Sequence, residues 1–255
     1  MKLAIAVLAH AAAAAAATPK LLICSDSTTA NYTSGPLQGW GYYIGEYLSI
    51  GVVNLARNGR STRSFIKEGL WSKLLSQTQA SDYVVIEMGH NDDGDPTDPK
   101  NTRGGRSVLP GIDGKTASVK DENGKAETVH TFGFYLREMI EDVRKKNAIP
   151  IISGMVPRNY WRQGKLQSDY KFTDWARQTA EQEKVEFLDH TKYGVERLRP
   201  LGETKAKTYF PQDNTHTNAA GAKLNAETFV TAAKCAKSQL VRHLNGKGQE
   251  VKQSC

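Results

Sequence analysis

Five short apolar runs, residues 20–24, 52–56, 83–88, 149–154 and 185–188, alternate along the chain with segments of helical spacing. The helical segments are residues 40–50, 63–76, 132–146, 169–183 and 219–244. In 40–50, Tyr43, Ile44, Tyr47 and Leu48 recur at the spacing that lines one helix face. The segment 132–146 ends in Arg144-Lys145-Lys146, cations that suit a helix C-terminus. Alternation of this kind predicts a parallel sheet covered by helices on both faces. Such sheets place their sites beyond the carboxyl ends of the strands. The informative residues are therefore those that follow each run.

One stretch breaks the rhythm. Residues 94–129 are rich in Gly, Asp, Lys and Asn and keep no period. A connection of that length inside a compact domain is uncommon and often functional, although a mobile or hairpin-forming insertion is the plainer reading. No internal repeat or second boundary is evident, so residues 18–255 read as one domain. Ahead of it, Met1-Lys2 is followed by an apolar, alanine-rich run that ends in small residues near Ala17. That is the pattern of a secretory signal peptide over 1–17. It is shorter than the roughly 20 apolar residues a membrane span requires. The expectation is an extracellular, monomeric protein.

Three cysteines fit an oxidising compartment. Cys235 and Cys255 can close the C-terminal tail onto the domain, which on a chain-entropy estimate contributes about 3 kcal/mol. Other pairings remain open, because sequence does not fix connectivity. Cys24 ends an apolar run and reads as a buried free thiol. Asn31-Tyr32-Thr33 is a glycosylation sequon, which makes Asn31 a glycan site candidate. The formal charge is +7, falling to +6 with loss of Lys2. A basic exported protein can meet a polyanion, or the charge can serve solubility alone.

Four loops follow the predicted strands or precede the last helix. They are Ser25-Asp26-Ser27, Arg57-Asn58-Gly59-Arg60-Ser61, Gly89-His90-Asn91-Asp92 and Asp213-Asn214-Thr215-His216. Ester cleavage needs these residue types. A serine hydroxyl is a weak nucleophile until a base takes its proton. An imidazole takes that proton and later hands it to the leaving group. A carboxylate behind the imidazole fixes its tautomer. Asp213 and His216 are three residues apart, so one turn can bring them together. The tetrahedral intermediate needs donors, which a glycine N–H and an asparagine amide can supply. Taken singly, each residue has a plainer role as a cap, a turn or a surface group. Their joint order along one sheet edge is harder to explain by chance.

Taken together, the blocks resemble the SGNH (GDSL-type) hydrolases, named for Ser, Gly, Asn and His in four separate motifs. The strings DSTTA, GWGYYI, ARNGRSTRSF, DYVVIEMGHND and YFPQDNTHTNAAGA are similar to those of fungal rhamnogalacturonan acetylesterases. The resemblance implies a three-layer α/β/α, flavodoxin-like fold with a five-stranded parallel sheet. It implies Ser27 as nucleophile, His216 as base and Asp213 as its orienter. It also implies the Ser27 and Gly59 amides and the Asn91 side chain as oxyanion donors. Ser27 is expected just before a helix start, whose N-terminus favours negative charge. One position departs from the family, since Ser25 stands where its motif carries glycine. A positive φ there would strain the turn by about 1–3 kcal/mol, whereas a negative φ would cost nothing.

Competing chemistries lack their signatures. There is no Gly-x-Ser-x-Gly elbow. Gly39-Trp40-Gly41-Tyr42-Tyr43-Ile44-Gly45 misses the dinucleotide spacing by one place, and no His-Glu-x-x-His or Cys/His cluster occurs. No metal, no cofactor, no nucleic-acid partner and no membrane are expected. The implied substrate is an acetylated acidic polysaccharide of the pectic type. Of Arg57, Arg60 and Arg63, which surround Gly59, one or two can meet the substrate's carboxylates, while each can equally be solvated or pair with a local acid. Trp40, Tyr160 and Trp161 can stack on sugar rings, although Trp40 can equally be core at a helix start. The alternatives are an SGNH esterase acting on xylan or a lipid ester, or a catalytically silent carbohydrate-binding relative. The polar loops disfavour the lipid, and Ser25 motivates the silent relative.

Overall fold

A computed structural model describes residues 18–121 and 123–255. Residues 1–17, expected to be a signal peptide, lie outside the described residues. In chain order the structure runs through β1 (Lys20–Ser25), β2 (Gly51–Asn54), α1 (Thr62–Lys67), α2 (Leu70–Gln77) and β3 (Tyr83–Glu87). It continues through a hairpin, β4 (Thr116–Lys120) and β5 (Ala126–His130), then α3 (Phe132–Lys145) and β6 (Ile149–Ser153). A second small hairpin follows, β7 (Trp161–Arg162) and β8 (Lys165–Leu166), then α4 (Lys171–Glu183) and β9 (Glu186–Leu188). The chain closes with α5 (His190–Leu198), α6 (Gly202–Lys207), α7 (Ala219–Cys235) and α8 (Gly246–Glu250).

Strands β2, β1, β3, β6 and β9 form one sheet in that order, and every pairing is parallel. The alternation of strand side chains sorts the core into two halves. Leu21, Ile23, Tyr83, Val85, Ile151 and Leu188 face Trp40, Ile44, Tyr193 of α5 and Phe229 of α7. Leu22, Cys24, Val84, Ile86 and Ile152 face Phe65 of α1, Leu74 of α2, Met139 of α3 and Ala180 of α4. Each such large apolar side chain stabilises by about 1.5–3 kcal/mol when fully buried. The result is the three-layer α/β/α arrangement. The chain reverses direction across the sheet between β1 and β3, the switch point at which sites form in open α/β sheets. Among the described residues, no helix is long and apolar enough to cross a membrane.

Several elements are shorter than their periodicity predicts. The segment 40–50 holds two 3-10 turns, Trp40–Tyr42 and Ile44–Tyr47, in place of one helix. Gly41 and Gly45 lower its helical propensity. The helix predicted over 63–76 is split at Gly69, whose φ of 75° is left-handed. The helix predicted over 219–244 stops at Cys235, and a 3-10 turn spans Gln239–His243. The insertion 94–129 carries β4 and most of β5. Its anchor is Arg63, which is buried on α1 and donates from Nε to Glu127 at 2.7 Å and from Nη1 to the Ser107 carbonyl at 2.9 Å. Lys67 adds a 3.0 Å ion pair to the same Glu127. The Cys235 and Cys255 sulfurs are joined, with their Cα atoms 5.5 Å apart, and Cys24 is buried and unpaired.

Candidate active site

Strand β1 ends at Ser25, and the next residues turn back on themselves. The Ala30 amide donates to the Asp26 carbonyl at 3.0 Å, and Asp26 Oδ1 accepts from the Thr28 amide and hydroxyl at 2.9 and 2.8 Å. This single turn presents Ser27, which is 7% exposed, at the sheet edge. The helix expected after Ser27 does not form, so no helix N-terminus supports it. A separate contact steadies the turn: the Tyr32 hydroxyl donates to the Ser27 carbonyl at 3.1 Å. Burial raises the Tyr32 phenol to about 12, so it remains a donor.

Ser25 causes no strain. It is the last residue of an extended strand and is not among the residues of positive φ. Its hydroxyl donates to the Glu87 carbonyl of β3 at 2.7 Å and bonds Thr29 Oγ1 at 2.7 Å. A serine in the glycine position of the motif therefore ties the nucleophile turn to its neighbouring strand.

The last loop supplies the remaining two groups. Asn218 caps α7, its side chain accepting from the Gly221 amide at 3.0 Å, and this fixes where the loop ends. The loop is clamped from outside by Gln38, whose amide donates to the Thr217 carbonyl at 2.8 Å, and by Asn159, which donates to the Asn214 carbonyl at 2.8 Å. Within it, Asp213 Oδ1 accepts the amides of Thr215 and His216 at 2.7 and 2.8 Å. Asp213 Oδ2 lies 2.6 Å from His216 Nδ1, and His216 Nε2 lies 2.8 Å from Ser27 Oγ. Partial burial alone would raise the Asp213 carboxyl, but the amide and ring hydrogen bonds outweigh it and hold it below its ordinary value. An ionised Asp213 only accepts, so Nδ1 carries the ring proton and Nε2 accepts from the Ser27 hydroxyl. The structure thus joins the three predicted residues in one chain of hydrogen bonds.

The expected oxyanion donors stand on the two neighbouring loops. Gly59 sits in a tight turn at φ 75°, a left-handed conformation that favours glycine. Asn91 donates from Nδ2 to the Arg60 carbonyl at 3.2 Å, which brings the asparagine beside the Gly59 turn and leaves its second N–H available. Neither the Ser27 amide nor the Gly59 amide donates to another described residue. Behind Asn91, the buried Asp92 accepts the Thr62 amide and hydroxyl at 2.9 and 2.5 Å, locking the two donor loops together. Burial raises its carboxyl to about 7.

The expected sugar contacts fare differently. Trp40 is fully buried, stacked on Phe229 at 4.7 Å, with Nε1 donating to Glu87 at 2.9 Å. It is core and cannot meet a substrate. Arg60 pairs with Glu68 at 2.7 Å, and Arg63 is the buried anchor of the insertion. Arg57 is exposed beside the site, its amide bonded to the Ser25 carbonyl at 3.0 Å. Tyr160 is 42% exposed, and Trp161 is partly exposed. Asn31 is exposed, its side-chain oxygen accepting from Asn54 at 2.8 Å. Tyr32 and Asp92 were missed by sequence reasoning, although both adjoin motif residues. Among the described residues no group of His, Cys, Asp and Glu is arranged to hold a metal ion.

Comparison with known proteins shows the family. The model of the GDSL-like Lipase/Acylhydrolase family matches residues 26–224, well over half of the chain. The chain belongs to that family. It is a carboxylic ester hydrolase of the GDSL type. A rhamnogalacturonan acetylesterase from Emericella nidulans is 36% identical over 216 residues, covering 84% of each chain. A probable rhamnogalacturonan acetylesterase from Bacillus subtilis is 28% identical, covering 84% of this chain and 92% of its own. Among solved structures, YxiM from Bacillus subtilis superposes with a TM-score of 0.67 at 23% identity. That match covers 86% of this chain but 57% of the longer YxiM chain, and it speaks to the fold.

Proposed function

We propose that this protein is a secreted serine esterase that removes acetyl groups from an acetylated pectic polysaccharide, rhamnogalacturonan foremost. The observation that carries the chemistry is the unbroken path from Ser27 Oγ through His216 to Asp213, at 2.8 and 2.6 Å. Ser27 Oγ attacks the acetyl carbonyl while His216 Nε2 takes its proton, and Asp213 stabilises the resulting imidazolium. The carbonyl oxygen becomes an oxyanion, for which the Ser27 and Gly59 amides and Asn91 Nδ2 are the donors. Collapse breaks the bond to the sugar oxygen, which leaves with the proton from His216. Water then attacks the acetyl-Ser27 ester by the same route, releasing acetate and restoring the hydroxyl.

The substrate reading draws on the Emericella nidulans and Bacillus subtilis relatives. Secretion is inferred from the apolar run before Ala17, and glycosylation from the exposed Asn31 sequon. The reading as a silent relative loses its motive, since Ser25 is unstrained. Exposed large apolar residues are confined, among the described residues, to Tyr42 and Tyr160, which does not favour a lipid surface. The test is acetate release from acetylated rhamnogalacturonan, acetylated xylan and p-nitrophenyl acetate. Wild type is expected to act best on the first. Ser27→Ala is expected to lower every rate by about 10³-fold or more. An undiminished rate in that variant refutes the mechanism, and a preference for xylan refutes the substrate.

A further inference from the structure

The arginines of this chain differ in what they meet. Arg60, Arg63, Arg144, Arg177 and Arg197 each reach a carboxylate. Arg103 and Arg158 are half-buried, yet neither forms an ion pair among the described residues. Both converge on one atom, the His90 carbonyl oxygen, with Arg103 Nη1 at 3.4 Å and Arg158 Nη2 at 3.2 Å. Arg158 is fixed further by a 2.9 Å bond from Nη1 to Thr215 Oγ1, one residue from His216. Two guanidinium groups gathered on a single carbonyl repel each other, and each buries part of its charge without a counter-ion. Such a pair is stabilised when a carboxylate arrives, and guanidinium geometry suits that guest.

The surroundings fit this guest. The two arginines line a cleft of about 560 Å³ that also takes in Lys171 and the exposed ring of Tyr160. That volume is within the range of about 300–1,000 Å³ usual for ligand clefts. Arg158 lies over the Tyr160 ring at 5.9 Å, leaving an aromatic surface beside the charge. Asp93 and Asp169 also border the cleft, both exposed to water, and neither pairs with the arginines. His90 feels the local field. Burial, then the Arg158 and His216 charges, push its imidazole down to about 3. A third arginine, Arg106, extends the positive edge towards the donor loop, with Nη1 3.5 Å from the Gly59 carbonyl.

We propose that Arg103 and Arg158 form a subsite that binds a uronate carboxylate of the glycan whose acetyl group Ser27 attacks. This rests on the reading of the site as an esterase of acidic polysaccharide and names the residues that would recognise the acid. Of the arginines flanking Gly59 in sequence, Arg60 and Arg63 are engaged instead by Glu68 and Glu127.

The test compares acetylated rhamnogalacturonan with free carboxylates against the same material with its carboxylates methyl-esterified, scoring acetate release at low salt. Wild type is expected to show a KM about tenfold lower on the free acid, the scale of one charge-assisted contact. Arg103→Gln is expected to raise KM on the free acid about tenfold with kcat within about twofold, and to erase the difference between the two substrates. Arg103→Lys should recover part of it. Arg158→Gln, whose side chain also holds Thr215, provides a second variant and should erase the same difference. A thermal melt of each variant reports folding. The inference is overturned if Arg103→Gln and Arg158→Gln retain the wild-type preference, or if KM rises equally on both substrates. Failure of the functional reading looks different, because wild type itself would then release no acetate from either substrate while hydrolysing p-nitrophenyl acetate.

Discussion

Asp92 shows how a residue beside the chemistry can oppose stability. Its Oδ1 holds the Thr62 amide and hydroxyl, while its buried Oδ2 has no partner. Burial, with a contribution from nearby Asp26, raises its carboxyl from an ordinary 3.8 to about 7. The folded state therefore favours the neutral acid more than the unfolded state does. Between about pH 4 and pH 7 the unfolded chain loses this proton first, so folding stability declines as pH rises. Above that window the loss is complete and constant. Asp92→Asn keeps the acceptor and cannot ionise. Its melting temperature relative to wild type is expected to rise by about 2–4 °C or more between pH 4 and pH 8, the shift of about 1 kcal/mol in a chain of this size. Melting curves across that range check it, and a difference that does not change with pH refutes it. At this scale the sequence was most readable where chemistry restricts the residue type. Ser27, Asp213 and His216, of the types acyl transfer uses, lie on one hydrogen-bonded path, and Asn91 bonds the carbonyl next to Gly59. It was least readable for cations and aromatics. Arg63 meets Glu127 from 64 positions away, and Trp40 meets Glu87 from 47. Neither partnership leaves a local trace.

At the scale of elements, the nucleophile turn is built against a second strip of backbone. The Gly39 amide donates to the Ala30 carbonyl at 3.1 Å, and the Trp40 amide to the Thr28 carbonyl at 3.1 Å. A Cβ at Gly39 would overlap the backbone of Thr29 and Ala30. Backbone cannot swing aside as a long side chain can, so the turn would have to move. Gly39→Ala is expected to displace Ser27 from His216 and to lower kcat by about 10²-fold, the cost of a misplacement of about 1 Å. Steady-state kinetics with a melting curve would test this, and a folded variant with unchanged kcat would count against it. The order of the five sheet strands was legible in the sequence, because both sheet faces are covered and the strands read as unbroken apolar runs. The breaks at Gly69 and after Cys235 were not, since the same apolar spacing continues across them. Helices α5 and α6 also escaped detection. Their exposed faces are charged, and Gly194 and Gly202 dilute the helical signal.

At the scale of the whole molecule, the C-terminus is bound back by a covalent link. Cys235 ends α7 and Cys255 ends the chain. The closed loop spans 20 positions, which on a chain-entropy estimate contributes about 3 kcal/mol. Cys255→Ser is expected to lower stability by up to about 3 kcal/mol and to leave the KM on acetylated polysaccharide unchanged, because no residue of this loop lines the catalytic edge. Urea denaturation beside initial rates would measure both, and a changed KM would contradict the separation.

The insertion of residues 94–129 is pinned to the fold at Glu127, far along the chain from Ser27, Asp213 and His216. It nevertheless delivers Arg103 to the cleft and Arg106 to the Gly59 turn. Taste, if Arg103 and Arg158 supply it, is thus divided between the insertion and the loop before β7. A relative given this one's appetite for acid would need both the insertion with its Arg63 socket and an arginine at position 158, whose bond to Thr215 ends one residue short of the cutting edge.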